Sequence, residues 1–180
     1  MVLARVLTPE AFGVVTTLTM IIAFAEIFTD AGFQRYIIQH EFESDEDKDK
    51  SINVAFWSNL IMSLLLWGLI AIFAEPLATL VGNPGLGIVL VVACASIPLE
   101  AFSSIQMAVF KRSLDFKSLF YRRLVAVAIP LFITIPLALW LRSYWALVFG
   151  TIAVNLSNAI ILTLQSPWKP RFYYSFARLF

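Results

Sequence analysis

Charge is scarce in this chain of 180 residues: 14% are Asp, Glu, Lys or Arg and 60% are hydrophobic, where soluble domains carry about 25% charge. A water-soluble globule of this size cannot cover so much apolar surface with so few charges. Soluble enzyme, disordered tail and secreted disulfide module are therefore all excluded as descriptions. One cysteine, Cys94, allows no internal disulfide, and one histidine, His40, leaves no zinc ligand set. A net charge of +1 offers nothing to a polyanion, so no nucleic-acid partner is expected. No cofactor is expected either. What remains is an integral membrane protein.

The gaps between charges place the spans. Between residues 52 and 110 the only charged side chains are Glu75 and Glu100, and between 124 and 166 only Arg142. A helix rising about 1.5 Å per residue crosses about 30 Å of hydrocarbon in about 20 residues. Five windows meet that length: 11–29, 52–74, 86–110, 124–141 and 144–165. None alternates as a barrel wall would. The expected fold class is thus an all-α integral membrane bundle of about five transmembrane helices, one transmembrane domain over residues 1–180. Glu75-Pro76 and Gly82-Asn83-Pro84-Gly85 are turn chemistry between the second and third windows. Arg142-Ser143 forces a tight hairpin between the fourth and fifth. Pro98, Pro130 and Pro136 fall inside windows, where a packed bundle accommodates them as bends.

Lysine and arginine set the orientation. On one side fall Arg35, Lys48, Lys50, Lys111, Arg112, Lys117, Arg122, Arg123, Lys169, Arg171 and Arg178, and on the other only Arg5 and Arg142. The positive-inside rule puts the first side in the cytoplasm, so the amino terminus lies outside and the carboxyl terminus inside. No signal peptide precedes the first window. An odd number of spans that opens outside gives the expectation of a fragment of a longer chain.

Several runs resemble a known family. Leu7-Thr8-Pro9-Glu10-Ala11-Phe12-Gly13 resembles the segment after the first membrane helix of polysaccharide-export flippases, and Phe24-Ala25-Glu26-Ile27-Phe28-Thr29-Asp30-Ala31-Gly32-Phe33, with Ile38-Gln39 following, the end of their second helix. Gln106-Met107-Ala108-Val109-Phe110-Lys111-Arg112 resembles the basic exit from the fourth helix, and Tyr144-Trp145-Ala146-Leu147-Val148 the hairpin into the sixth. The chain is similar to the Wzx-type polysaccharide and lipopolysaccharide export branch of the multidrug/oligosaccharidyl-lipid/polysaccharide flippase superfamily. The resemblance implies a two-lobed transporter of the bacterial inner membrane that moves undecaprenyl-diphosphate-linked repeat units by alternating access, of which this chain is helices two to six. It implies a lipid-linked oligosaccharide as partner, with membrane lipids and polysaccharide polymerase machinery as others.

Ionisable groups at membrane depth cost about 2.5–3.5 kcal/mol on the insertion scale, so each needs a reason. Thr16, Thr19, Ala23, Glu26 and Asp30 share one face of the first helix. They form either a cavity wall, with Glu26 a proton or cation site, or an interfacial stripe in which Glu26 pairs with Arg35. Ser96, Glu100, Ser103 or Ser104, and Met107 run along one face towards Lys111, beside Pro98. Glu100 lines a transport cavity or is a protonated acid bonded between helices. Thr151, Asn155, Asn158 and Gln165 form a third stripe, suited to sugar hydroxyls but equally to holding helices together. Arg112, Arg122 and Arg123 are the candidates for attracting a diphosphate, the alternative being that they only orient the chain. The acidic run from Glu41 to Lys50 contains two Asp-x-Asp spacings but no nucleotide-binding surroundings, and is expected to be a solvated loop without metal.

A transporter is the leading expectation and no enzyme is expected. A drug or cation antiporter of the same superfamily, a membrane glycosyltransferase or polymerase, and a non-transporting bundle are the alternatives. The glycosyltransferase is disfavoured because the outer loops carry only Arg5, Glu10, Glu75 and Arg142.

Overall fold

The computed structural model describes residues 9–30, 32–112, 116–141, 143–166 and 168–169; the side chains of residues 29, 30, 116, 118, 119, 122, 126, 130 and 131 lie outside the description. Nine α-helices occur among these residues: α1 Pro9–Asp30, α2 Phe33–Gln39, α3 Asp45–Ile72, α4 Ala74–Leu80, α5 Gly87–Cys94, α6 Ser96–Arg112, α7 Phe116–Ile129, α8 Ile135–Leu141 and α9 Tyr144–Gln165. A π-helical turn, Pro130–Thr134, joins α7 to α8. Five stretches are long and apolar enough to cross a membrane: Pro9–Phe28, Asp45–Ile72, Gly87–Arg112, Arg123–Leu141 and Tyr144–Gln165. The expected all-α membrane bundle is what the chain forms.

The prolines act locally. Pro98 has no N–H for the carbonyl of Cys94, four residues earlier, and the third span divides there into α5 and α6. The break is satisfied from within: Ala95 N–H donates to Val92 O at 3.2 Å and Ser96 Oγ to Ala93 O at 2.7 Å. Pro130 opens the π-helical turn, and Pro136 sits in the first turn of α8, directly after that turn.

One expectation is overturned. The acidic run is a loop only as far as Ser44. Asp45–Ile72 is one helix, and Ser44 Oγ caps it by accepting from Asp47 N–H at 3.1 Å. Asp45, Glu46 and Asp47 occupy the first turn, where negative charge suits the positive end of the helix dipole. Glu46 pairs with Lys50 one turn on, at 2.5 Å. The charges that made the run look like a solvated loop are a helix start.

Among the described residues three apolar clusters hold the bundle, the smallest of them Ala11, Ala138 and Ala146. Leu18 and Ala25 of α1, Ile70 of α3, Leu90 and Cys94 of α5, Ile97 of α6 and Val148 of α9 form one. At the basic end Ile37 of α2, Phe56 of α3, Ile105 and Val109 of α6, and Trp168 form another. The turn from α4 to α5 is closed by Glu75, whose carboxylate accepts from Gly85 N–H at 2.6 Å and Gly87 N–H at 3.1 Å. The Gly87 contact satisfies the first free donor of α5, and the Gly85 contact holds the turn before it. Single cysteines replacing Pro84 or Ser143 in a Cys94→Ala background should react with an impermeant maleimide applied outside intact cells. One replacing Asp47 should react only after permeabilisation. The opposite pattern would overturn the orientation read from lysine and arginine.

Candidate functional site

Three neighbouring cavities lie among α1, α3, α6 and α9. The first, about 230 Å³, is lined by Thr19, Ala23 and Glu26 of α1, Ser96 and Glu100 of α6, and Thr151 and Asn155 of α9, with apolar Val15, Leu18, Ile22, Ala93 and Val148. A second, about 300 Å³, adds Gln34 of α2 and Asn59 of α3 to Glu26, Glu100 and Ser104. A third, about 220 Å³, is bounded by Gln34, Glu100, Ser103, Ser104, Met107, Lys111, Asn155 and Asn158. Glu100 borders all three, and together they make a groove whose lining passes from Val15, Leu18 and Val148 in the first cavity to Lys111 in the third.

Helical spacing explains why these residues meet. Ser96, Glu100, Ser103 and Met107 recur at three- and four-residue intervals, so α6 presents them together. The same rule aligns Thr19, Ala23 and Glu26 on α1, and Thr151, Asn155 and Asn158 on α9. Thr16, although in register, is turned to its own helix and donates to Phe12 O at 2.7 Å. Gln165 borders none of the three cavities.

Glu26 and Glu100 meet across the groove in a side-chain hydrogen bond. Glu26 and Glu100 both line the first two cavities, and Glu100 is exposed there. Beside them Asn59 is 1% exposed and donates its Nδ2 to Ser104 Oγ at 2.7 Å and Ala101 O at 3.4 Å. Its Oδ1 has no hydrogen-bond partner among the described residues.

The three arginines part company. Arg112 donates from Nη1 to Ile37 O at 2.7 Å and His40 O at 2.6 Å, and its guanidinium lies 4.8 Å from the centre of the Phe42 ring. It caps the carboxyl end of α2, where a cation also suits the helix dipole, and thereby straps α2 to α6. Arg123 is exposed on α7, while the side chain of Arg122 lies outside the described residues, as does that of Asp30. Arg112→Ala should lower stability by about 2 kcal/mol through two lost charge-assisted bonds, with Arg112→Lys recovering part of it. Thermal unfolding in detergent measures this, and an unchanged midpoint would contradict the strap.

Gln34 and Asn59 are the polar groove residues that the sequence did not single out. Each is an isolated amide outside a polar stripe, and its place depends on the helix opposite. For Asn59 a signal existed: Asn53, Ser58, Asn59 and Ser63 interrupt an otherwise apolar window, and all four are buried. Among the described residues no cluster of three or more His, Cys, Asp or Glu is placed to hold a metal.

Comparison with known proteins fits this geometry. Residues 2–180 match the model of a family described as polysaccharide biosynthesis protein. The chain is 29% identical, over 181 aligned residues, to the succinoglycan biosynthesis transport protein ExoT of Rhizobium meliloti (strain 1021). That alignment covers 99% of this chain but 35% of the relative, so the chain spans about a third of its length. No solved structure matches the chain.

Proposed function

This chain belongs to the polysaccharide biosynthesis protein family, and from that premise we propose that it forms part of a membrane transporter that moves lipid-linked oligosaccharide across the bacterial inner membrane. The observation that carries the reading is the set of adjoining cavities around Glu100, largely apolar in the first and polar towards Lys111 in the third. Amides and hydroxyls such as Asn155, Asn158, Gln34 and Ser104 are suited to sugar hydroxyls, because each both donates and accepts. The basic end, with Lys111 in the groove and Arg123 exposed on α7, is suited to attract a diphosphate. Arg112 contributes by holding α2 in place. In this reading the groove opens alternately to the two sides, with the helix breaks at Ala95 and Pro130 as the bending points.

The relative is named a transport protein for succinoglycan biosynthesis, which supports an exported polysaccharide as the cargo class and a transporter rather than an enzyme. A drug or cation antiporter is the second reading, favoured by the Glu26–Glu100 pair. Asn155→Trp and Asn158→Trp, which fill the groove without adding charge, separate the two. In cells lacking the gene, each variant should restore less than a tenth of the surface polysaccharide that the wild type restores at equal membrane level. Normal export with loss of drug resistance would favour the antiporter instead.

A further inference from the structure

We propose that Trp67 and Asn59 of α3 are positioning residues for the groove: from one unbroken helix they bond the two arms of the broken third span, and so fix the angle that sets where Ser96 and Glu100 stand.

The break leaves a backbone carbonyl without its helical partner. In an uninterrupted helix Val91 O would accept from the N–H of residue 95, four residues on. Here Ala95 N–H donates to Val92 O instead, at 3.2 Å. Hydrocarbon holds no water to take the place of that donor, so a neighbouring helix must supply one. Trp67 does so, donating its indole Nε1–H to Val91 O at 3.0 Å. A tryptophan that merely anchors a helix at the membrane surface turns its N–H towards water. The N–H of Trp67 points across to α5, and its half-buried ring packs against the cluster of Leu90, Cys94 and Ile97.

The other arm is held from the same helix. Asn59 donates Nδ2 to Ser104 Oγ at 2.7 Å and to Ala101 O at 3.4 Å, both on α6. Ser104 gives its own hydroxyl proton to Ala101 O at 3.0 Å, so its oxygen is left to accept from the amide. Because α3 runs unbroken from Asp45 to Ile72, the two bonds fall about 12 Å apart along one rod. One grips α5 before the break and the other grips α6 after it. A helix that bonds both arms of a bend is a splint. Ser96 opens α6 and borders the first cavity, and Glu100, one turn on, borders all three. A change of angle between α5 and α6 would carry both away from Glu26 and Asn155 opposite. The splint stands on these contacts alone, whereas its part in transport rests on the reading above, in which this break is a bending point.

The test measures the bend. Spin labels on Ile88→Cys of α5 and Lys111→Cys of α6, both exposed, in the Cys94→Ala background report the end-to-end distance of the third span. The distance is read by double electron–electron resonance on the purified chain in detergent, and we expect one narrow distribution. Trp67→Phe should broaden it at least twofold. Replacing Trp67 with benzothienylalanine, which keeps the shape of tryptophan but has sulfur in place of the N–H, should broaden it as much. Asn59→Leu should do the same by releasing the other arm. An unchanged distribution with benzothienylalanine would overturn the splint, including the case in which phenylalanine alone broadens it, since that would assign Trp67 to packing. An unchanged distribution in Asn59→Leu would overturn the part given to Asn59. If Trp67→Phe fails to fold, the isostere decides. In cells lacking the gene, Trp67→Phe should lower polysaccharide export at least threefold at equal membrane level. A broadened distance with normal export would overturn the positioning role in transport. Normal export from Asn155→Trp would instead remove the transport reading and leave the splint supported by the distance.

Discussion

Glu100→Gln should reach the membrane at the wild-type level and yet lose at least nine-tenths of polysaccharide export. Glutamine has nearly the same shape, and its amide can still donate to Glu26 across the groove. What it cannot do is release or take up a proton, or offer a charged oxygen. If the pair only held α1 to α6, glutamine would serve as well as glutamate. If the pair works by exchange, the contact survives and the cycle stops. Glu100→Leu separates the two, because it also removes the hydrogen bond and leaves Glu26 facing an apolar neighbour. The measurement is surface polysaccharide in cells lacking the gene, normalised to membrane protein and taken across external pH. Full export with an unchanged pH response in Glu100→Gln would take Glu100 out of the mechanism.

The largest structural effect is expected at Gly150. A Cβ there would lie 3.0 Å from Thr134 Cβ and closer still to its Oγ1 and Cγ2. Thr134 is buried at the end of the π-helical turn, and Ala146, one turn before Gly150, is fully buried. The two small residues let α9 close against the preceding segment across the two-residue connection. Gly150→Leu must push those elements apart, and overpacking of this kind typically costs about 1–3 kcal/mol or more. The variant should be largely lost from membranes. Gly68→Leu is the control: the same side chain is added in α3 where nothing lies within 4 Å, and it should accumulate normally. Thr134→Gly combined with Gly150→Ala should restore what Gly150→Ala alone loses, as coupled neighbours do. Equal membrane levels of Gly150→Leu and Gly68→Leu would show that the close approach does not matter.

What was legible in the sequence was what a single helix decides by itself. Spans follow from hydropathy and length, and the faces of α1, α6 and α9 follow from three- and four-residue spacing. That is why Glu26, Glu100 and Asn155 can line one cavity. The amides of α9 resisted, because a stripe of Asn looks the same whether it bonds another helix or borders a groove; Asn155 and Asn158 border the groove. Long-range contacts were not legible at all. Glu75 caps backbone donors ten and twelve residues away, and Arg112 caps a helix more than seventy residues earlier. Those partners exist only once the loops have folded back. The acidic run misled for a different reason: its charge outweighed the Ser44-x-x-Asp47 signature of a helix start.

The central claim, that the groove around Glu100 receives a lipid-linked oligosaccharide, is tested most directly by photo-crosslinking in living cells. A photoreactive phenylalanine analogue replaces Thr151 or Thr19, whose side chains border the groove, or Leu65, an exposed apolar residue of α3. Cells are fed a radiolabelled sugar precursor, irradiated, and the protein is isolated under denaturing conditions. The account predicts sugar label, released by the mild acid that cleaves a lipid-linked diphosphate, at positions 151 and 19 and background at 65. Label at 65 alone, or equal label at all three positions, would contradict it.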